Sequence, residues 1–423
     1  MVRIKIKEWF KKPTVLRIVF LIAVQTMLAL LFDILGLGAG SIGSFTFMSY
    51  ARNFSTAAPF IILLYPPLLS SDGGIGVLVS HLGTGLHIGS IKPKLFKNTE
   101  QYYSLISAVL TIGTFSSVCI GLITYVTNLI IFGGNRIINP LPFIVIPILS
   151  LTIASLISSQ IASVMAFYMF KKKLNPDVYV YPVMSTVNNI ISTLLYAALI
   201  ALLKPANWFS DGGISITKGT YFTLILVLLY LGFIGYLISR NVKKKNYKKI
   251  LKQALPIQSV TLTINSLTGG ILSGAEGGLA QMPGLFLIYP ALIDTLGDEV
   301  TIIANTTSTN LSLGTIEPKL KALLDKDQWT NLVGVYIAGF FLHVIYGIFG
   351  SIIVGDYQHI GLVLLFSLVI NFFGFIFVQM ISLLLIIFSF RKGLDPDNIA
   401  VPIVAALSSL ISTAIILLLV LLI

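Results

Sequence analysis

Carboxylates, amides and hydroxyls stand in the middle of otherwise apolar runs of this sequence, and two such places combine them with proline and glycine. In the first, Tyr65-Pro66-Pro67-Leu68-Leu69-Ser70-Ser71-Asp72-Gly73-Gly74-Ile75-Gly76 is followed by Ser80, His81, Thr84 and His87. In the second, Tyr289-Pro290 leads through Asp294, Gly297, Asp298 and Glu299 to Asn305, Thr306, Thr307, Ser308, Thr309 and Asn310. Proline and glycine clustered inside an apolar span predict a broken helix whose freed backbone lines a cavity or is buried in protein. Carbonyls, hydroxyls, amides and carboxylates gathered at such a break are the ligands a hard, oxygen-seeking cation requires. The competing reading is tight polar helix packing, with small residues bringing backbones together.

A second group stands at predicted helix starts: Asp177 in Leu174-Asn175-Pro176-Asp177 and Asp397 in Leu394-Asp395-Pro396-Asp397. A carboxylate there serves either as a cap and dipole partner or as a group lining a pathway. Seven residues beyond Pro182 and Pro402 come Asn189 and Ser409, about 10 Å deeper along a helix rising 1.5 Å per residue. Asp33 and Glu276 fall near the outer ends of apolar runs, where each either reaches the membrane interface or faces the bundle interior. His81 and His87, six residues apart, are separated by about 600° of helical rotation and fall on different faces, so a two-histidine metal site is not expected. Cys119 is the one cysteine and no HExxH run occurs, which excludes a disulfide framework and a cysteine-built metal centre. No set of nucleophile, base and orienting group is visible, so an enzyme is the least expected function.

The elements that must position these residues are membrane helices. With 423 residues, 56% of them hydrophobic, 10% charged and a mean hydropathy of +0.93, the chain is too apolar for a soluble globular protein. Apolar runs between charges and Gly/Pro punctuation predict an all-α polytopic protein with eleven spans. They lie near 14–36, 54–91, 102–132, 141–170, 178–203, 220–239, 254–275, 279–315, 329–354, 359–390 and 398–423. The basic start leads into a long apolar run without a small-residue cleavage site, which predicts a retained first helix. With the N-terminus cytoplasmic and the C-terminus outside, 24 of the 28 basic residues fall on the inside. The net charge of +12 is then a consequence of membrane topology, and nucleic acid is not an expected partner.

Self-similarity divides the chain in two. Gly89-Ser90-Ile91-Lys92-Pro93-Lys94-Leu95 recurs as Gly314-Thr315-Ile316-Glu317-Pro318-Lys319-Leu320 at an offset of 225. The Asp177 and Asp397 segments recur at an offset of 220, and Tyr65-Pro66 matches Tyr289-Pro290 at 224. Five spans per half with an extra one between them predict two parallel five-helix repeats, 1–203 and 253–423, joined through a linker helix within 204–252. One chain then imitates a homodimer, acts as a monomer in the lipid bilayer, and has its polar seam along the axis between the repeats.

These motifs resemble the MgtE family of magnesium transporters, in its two-repeat archaeal and eukaryotic solute-carrier form. The resemblance rests on Ser80 to Gly89 with Ile91 and Pro93, on Asp395 to Pro402 with Ser412-Thr413, and on the copy Thr309 to Gly314 with Ile316, Glu317 and Pro318. It implies a pore for divalent cations, Mg²⁺ first, between two five-helix units, with the ion as substrate and no cofactor. It also implies an ion ligand seven residues after the matched proline, where this sequence has Asn189 and Ser409 and the family has aspartate. Charge must therefore come from Asp72, Asp294, Asp298, Glu299 or the Asp177/Asp397 pair. Single-repeat bacterial members carry a cytosolic sensor, and no segment here is long enough to hold one. The rival functions are a carrier of the same architecture for another solute and a non-transporting membrane scaffold.

Overall fold

The computed structural model describes residues 15–35, 74–131, 140–203, 218–274, 281–319 and 326–422. Among these, every element is helical. The chain runs through α1 (Val15–Leu30, prolonged by a 3-10 turn Leu31–Leu35), α2 (Ile75–Ile88), α3 (Glu100–Ile131), α4 (Leu141–Lys171), α5 (Pro176–Leu203) and α6 (Lys218–Asn241). It continues through α7 (Lys245–Gly274), α8 (Pro283–Leu313), α9 (Lys326–Ile353), α10 and α11 (Pro396–Leu421). Helix α10 runs from Ile360 to Val369, passes through a π turn at Ile370–Gly374 and resumes over Phe375–Arg391. Eight of these helices are long and apolar enough to cross a membrane: α1, α3, α4, α5, α6, α9, α10 and α11. The protein is a multi-pass membrane protein.

Three predicted spans look different in the structure. Residues 54–73 and Asp72 with them lie outside the described residues; α2 begins directly after Gly74, whose φ of 86° only glycine adopts at little cost. Helix α7 starts nine residues before the predicted 254, because its basic segment is amphipathic: Tyr247, Ile250 and Ala254 recur at helical spacing and are all buried. The expected break at Tyr289–Glu299 is absent. Helix α8 is continuous from Pro283 to Leu313 through Pro290 and Gly297. A mid-helix proline costs about 3 kcal/mol, and burial of most of this helix against its neighbours outweighs it.

The two halves interlock. Helix α1 packs on α9 and α7 on α3; α5 packs on α8 and α11 on α2; α2 and α8 lie against each other. Both of the latter end in a left-handed glycine, Gly89 (φ 81°) and Gly314 (φ 72°). The apolar cores follow the same exchange: Ala304, Leu311, Ala400 and Val401 pack with Leu78, Leu82 and Tyr247. Helix α6 contacts α3, α4 and α5 and is the most exposed of the eight, with 17% of its apolar stretch buried. That places α6 on the rim.

Candidate ion-binding sites

Two polar clusters occupy the interior, linked by α8. In the first, Asp177 and Asp397 stand in the opening turns of α5 and α11, yet neither is the capping group. Asn175 accepts the Asp177 amide at 3.1 Å and Asp395 accepts the Asp397 amide at 3.4 Å. This frees both aspartates to point inward, and both are buried. The Asp397 carboxylate accepts from Thr84 at 2.9 Å and from Ser308 at 2.5 Å. Thr84 meets Thr309 at 3.2 Å, and Thr309 hydrogen-bonds the Asp177 carboxylate. A continuous chain of oxygens therefore runs Asp177, Thr309, Thr84, Asp397, and each aspartate is held by the threonine of the opposite half.

The cluster is asymmetric in one detail. Ser308 donates to Asp397, whereas its repeat counterpart is Gly83, and Asp177 Oδ1 is buried without a hydrogen-bond partner. A Cβ at Gly83 would collide with that carboxylate, so position 83 must stay bare for Asp177 to reach the α2 backbone. One helical turn further along α2, Ser80 donates to Asn305 at 2.7 Å. The two histidines diverge as expected: His81 Nε2 meets Asn398 Oδ1 at 2.8 Å, while His87 Nδ1 lies 2.8 Å from its own helix at the Gly83 carbonyl and packs edge-on against Phe170.

The second cluster sits about 16 Å away along α8, the rise over the eleven residues from Asp298 to Thr309. Of the two readings open for Asp33, the interior one holds: it is fully buried. The 3-10 turn ending α1 tucks it inward, where Thr186 donates to its Oδ1 and Thr295 to its Oδ2, each at 2.9 Å. Asp298 accepts from Ser185 at 2.9 Å and hydrogen-bonds the Asp33 carboxyl. Asp294 accepts from Asn189 Nδ2 at 2.8 Å and, unlike Asp33 and Asp298, keeps some accessible surface. Two carboxyls in hydrogen-bond contact need a proton or a cation between them. No lysine or arginine pairs with Asp33, Asp294 or Asp298 among the described residues.

Glu299 points off to one side. Asn371, pushed inward by the π turn of α10, donates to Oε1 at 3.0 Å; His343 Nδ1 lies 3.7 Å from the same oxygen. Gly339 permits this approach, since a Cβ there would occupy the position of the carboxylate. Ser409 donates to the Ala405 carbonyl of its own helix at 3.3 Å. Glu276 and Asp72 lie outside the described residues.

The structure therefore gathers the sequence candidates Asp294, Asp298 and Asn189 in one cluster, with Asp33, and Asp177 and Asp397 in the other; Ser185, Thr186 and Asn371 are the residues sequence reasoning did not single out. The signal for Ser308 and the Thr84/Thr309 pair was present in the repeat offset of 225. Hydroxyl, amide and carboxylate oxygens make up both linked clusters, and such donors suit Mg²⁺-like hard cations.

A family model described as a divalent cation transporter, MgtE, matches residues 65–199 and 289–419. The two matched regions fall on the two halves of the sequence repeat. No solved structure matches the chain.

Proposed function

This chain belongs to the MgtE family of divalent cation transporters, and from that premise we propose that it carries Mg²⁺ across the membrane along a polar seam between two parallel repeats. The single observation behind this reading is the trio Asp33, Asp294 and Asp298, whose negative charge is matched by no basic side chain among the described residues. A carboxylate group inside a membrane protein is costly unless a counter-charge is present, and in a divalent transporter the natural counter-charge is the substrate. Mg²⁺ gives up its water reluctantly, so a loose ring of carboxylates contacting a hydrated ion suits it better than a tight cage.

Two hydrogen bonds support the repeat layout. Ser80 with Asn305 and Thr84 with Thr309 each join a residue to its own counterpart, 225 positions away. Equivalent residues touch only beside a symmetry axis, and pairing in the same order along both helices requires them to run parallel. The two-fold axis then lies along the helices and hence along the membrane normal, with α2 and α8 beside it and α6 outside the symmetric unit. In this arrangement α8 carries the ion from the Asp294/Asp298 level to the Asp177/Asp397 level. The inner pair lies among basic loops, and this supports the reading in which that end and the N-terminus are cytoplasmic. The eleven helices all count as spans in this reading, and the chain works as a monomer.

Purified protein in liposomes is expected to take up Mg²⁺ down a gradient, with Mn²⁺ and Co²⁺ as weaker competitors and Ca²⁺ as the poorest. Uptake of no member of a panel of Mg²⁺, Mn²⁺, Co²⁺, Ca²⁺ and Zn²⁺ would instead favour a carrier for another solute or a scaffold.

A further inference from the structure

Beside the inner aspartate pair, and reaching Thr84 and Asp397 of that cluster, lies a cavity of about 170 Å³ lined by His81, Thr84, Asn246, Lys249, Asp395 and Asp397. One ring nitrogen of His81 and one carboxylate oxygen from each of Asp395 and Asp397 lie within 4.8 Å of one another. We propose that this is a second, one-sided binding site, adjoining the inner pair and sharing Asp397 with it, for a borderline transition-type divalent cation such as Zn²⁺ or Co²⁺, with the Lys249 ammonium as its built-in competitor.

The donor set sets the class of ion. Imidazole nitrogen is a poor ligand for Mg²⁺ and a good one for Zn²⁺ and Co²⁺, and three protein ligands beside open space leave room for water to complete the coordination. A cavity of about 170 Å³ accommodates an ion and several waters at roughly 30 Å³ each. The histidine is held from behind, as metal-ligating histidines are. Gln253 Oε1 accepts from the Asp395 amide at 3.3 Å and from Asn398 Nδ2 at 2.9 Å; this orients Asn398 so that its Oδ1 meets the His81 ring. One amide pair thus fixes the positions of two of the three ligands.

A cation already visits the site. Lys249 Nζ, from the amphipathic start of α7, lies 3.4 Å from Asp395 Oδ2, and its side chain is 55% exposed. So exposed an ion pair is weak and readily displaced. A divalent ion entering the cavity would expel the ammonium and shift α7, which packs on both α11 and α3. The site exists once: the repeat counterpart of Asp395 is Asn175, and that of His81 is Thr306. A pathway on a two-fold axis has no need of such one-sided ligands, whereas a regulatory site does.

Co²⁺ titration of the full-length protein in detergent, followed by absorption spectroscopy and calorimetry, tests this. One Co²⁺ equivalent with a nitrogen-ligated spectrum, displaced by Zn²⁺ and not by equimolar Mg²⁺, is expected. His81→Ala and Asp395→Asn should each weaken that equivalent at least tenfold, and Lys249→Ala should tighten it several-fold while Lys249→Arg does not. The thermal midpoint of each variant without metal identifies any that fail to fold, and His81→Gln replaces His81→Ala in that event. Co²⁺ binding unchanged by the His81 variants, or weakened by Lys249→Ala, would overturn the proposal. The readout is binding and not flux, so its failure and the failure of the transport reading are distinguishable.

Discussion

Asp298→Asn, and separately Asp294→Asn, should each lower Mg²⁺ uptake into liposomes by about 100-fold or more, the effect of withdrawing roughly 3 kcal/mol of charge compensation from a desolvated ion. Each substitution keeps the volume of the side chain, and Ser185 and Asn189 can still hydrogen-bond the remaining carbonyl oxygen. The folded structure should therefore survive, with unchanged elution and a thermal midpoint at or above that of the parent, because a buried charge has been removed. Asp33→Asn is expected to follow the same pattern, since Thr186 and Thr295 hold it as firmly as Ser185 holds Asp298. Uptake within twofold of the parent for all three variants would remove the cation from this cluster.

The second large effect has the opposite sign. Asn189→Asp replaces a donor 2.8 Å from Asp294 with an acceptor, placing two carboxylates in contact. Without divalent ions the variant should melt at a markedly lower temperature, because like charges at that separation are strongly repulsive in a partly desolvated interior. With Mg²⁺ or Mn²⁺ present the loss should be recovered in full and divalent affinity should rise at least tenfold, since the added charge is then shared by the ion. Ser409→Asp is expected to tighten binding as well, by a smaller factor, because the Ser409 hydroxyl donates to the Ala405 carbonyl of its own helix. Thermal unfolding against metal concentration measures both, and a midpoint of Asn189→Asp that metal does not move would contradict the placement of the ion.

Much of this organisation is written locally and is legible without coordinates. Long apolar runs mark α3 to α6 and α9 to α11 because a span needs nothing more than length and apolarity. Gly89 and Gly314 announce the ends of α2 and α8, and the repeat offset already pairs Thr84 with Thr309. What failed was any inference that depended on distant partners. Pro290 and Gly297 read as a break because local rules weigh propensity alone, whereas packing of α8 on α9, α11 and α5 keeps the helix whole. For Asp33 the end of an apolar run left interface and interior open, because its partners Thr186 and Thr295 are 153 and 262 residues away. The capping role belongs to Asn175 and Asp395, two positions ahead of the aspartates it was weighed for, and that shift of half a turn is what turns Asp177 and Asp397 inward.

The most direct measurement is anomalous scattering from crystals of the protein grown or soaked with Mn²⁺ as a stand-in for Mg²⁺. An anomalous peak within reach of Asp294 and Asp298, directly or through one water, and lost in Asp298→Asn, is the predicted result. Mn²⁺ peaks confined to other parts of the molecule, with none beside Asp294 and Asp298, would contradict a cation pathway along α8.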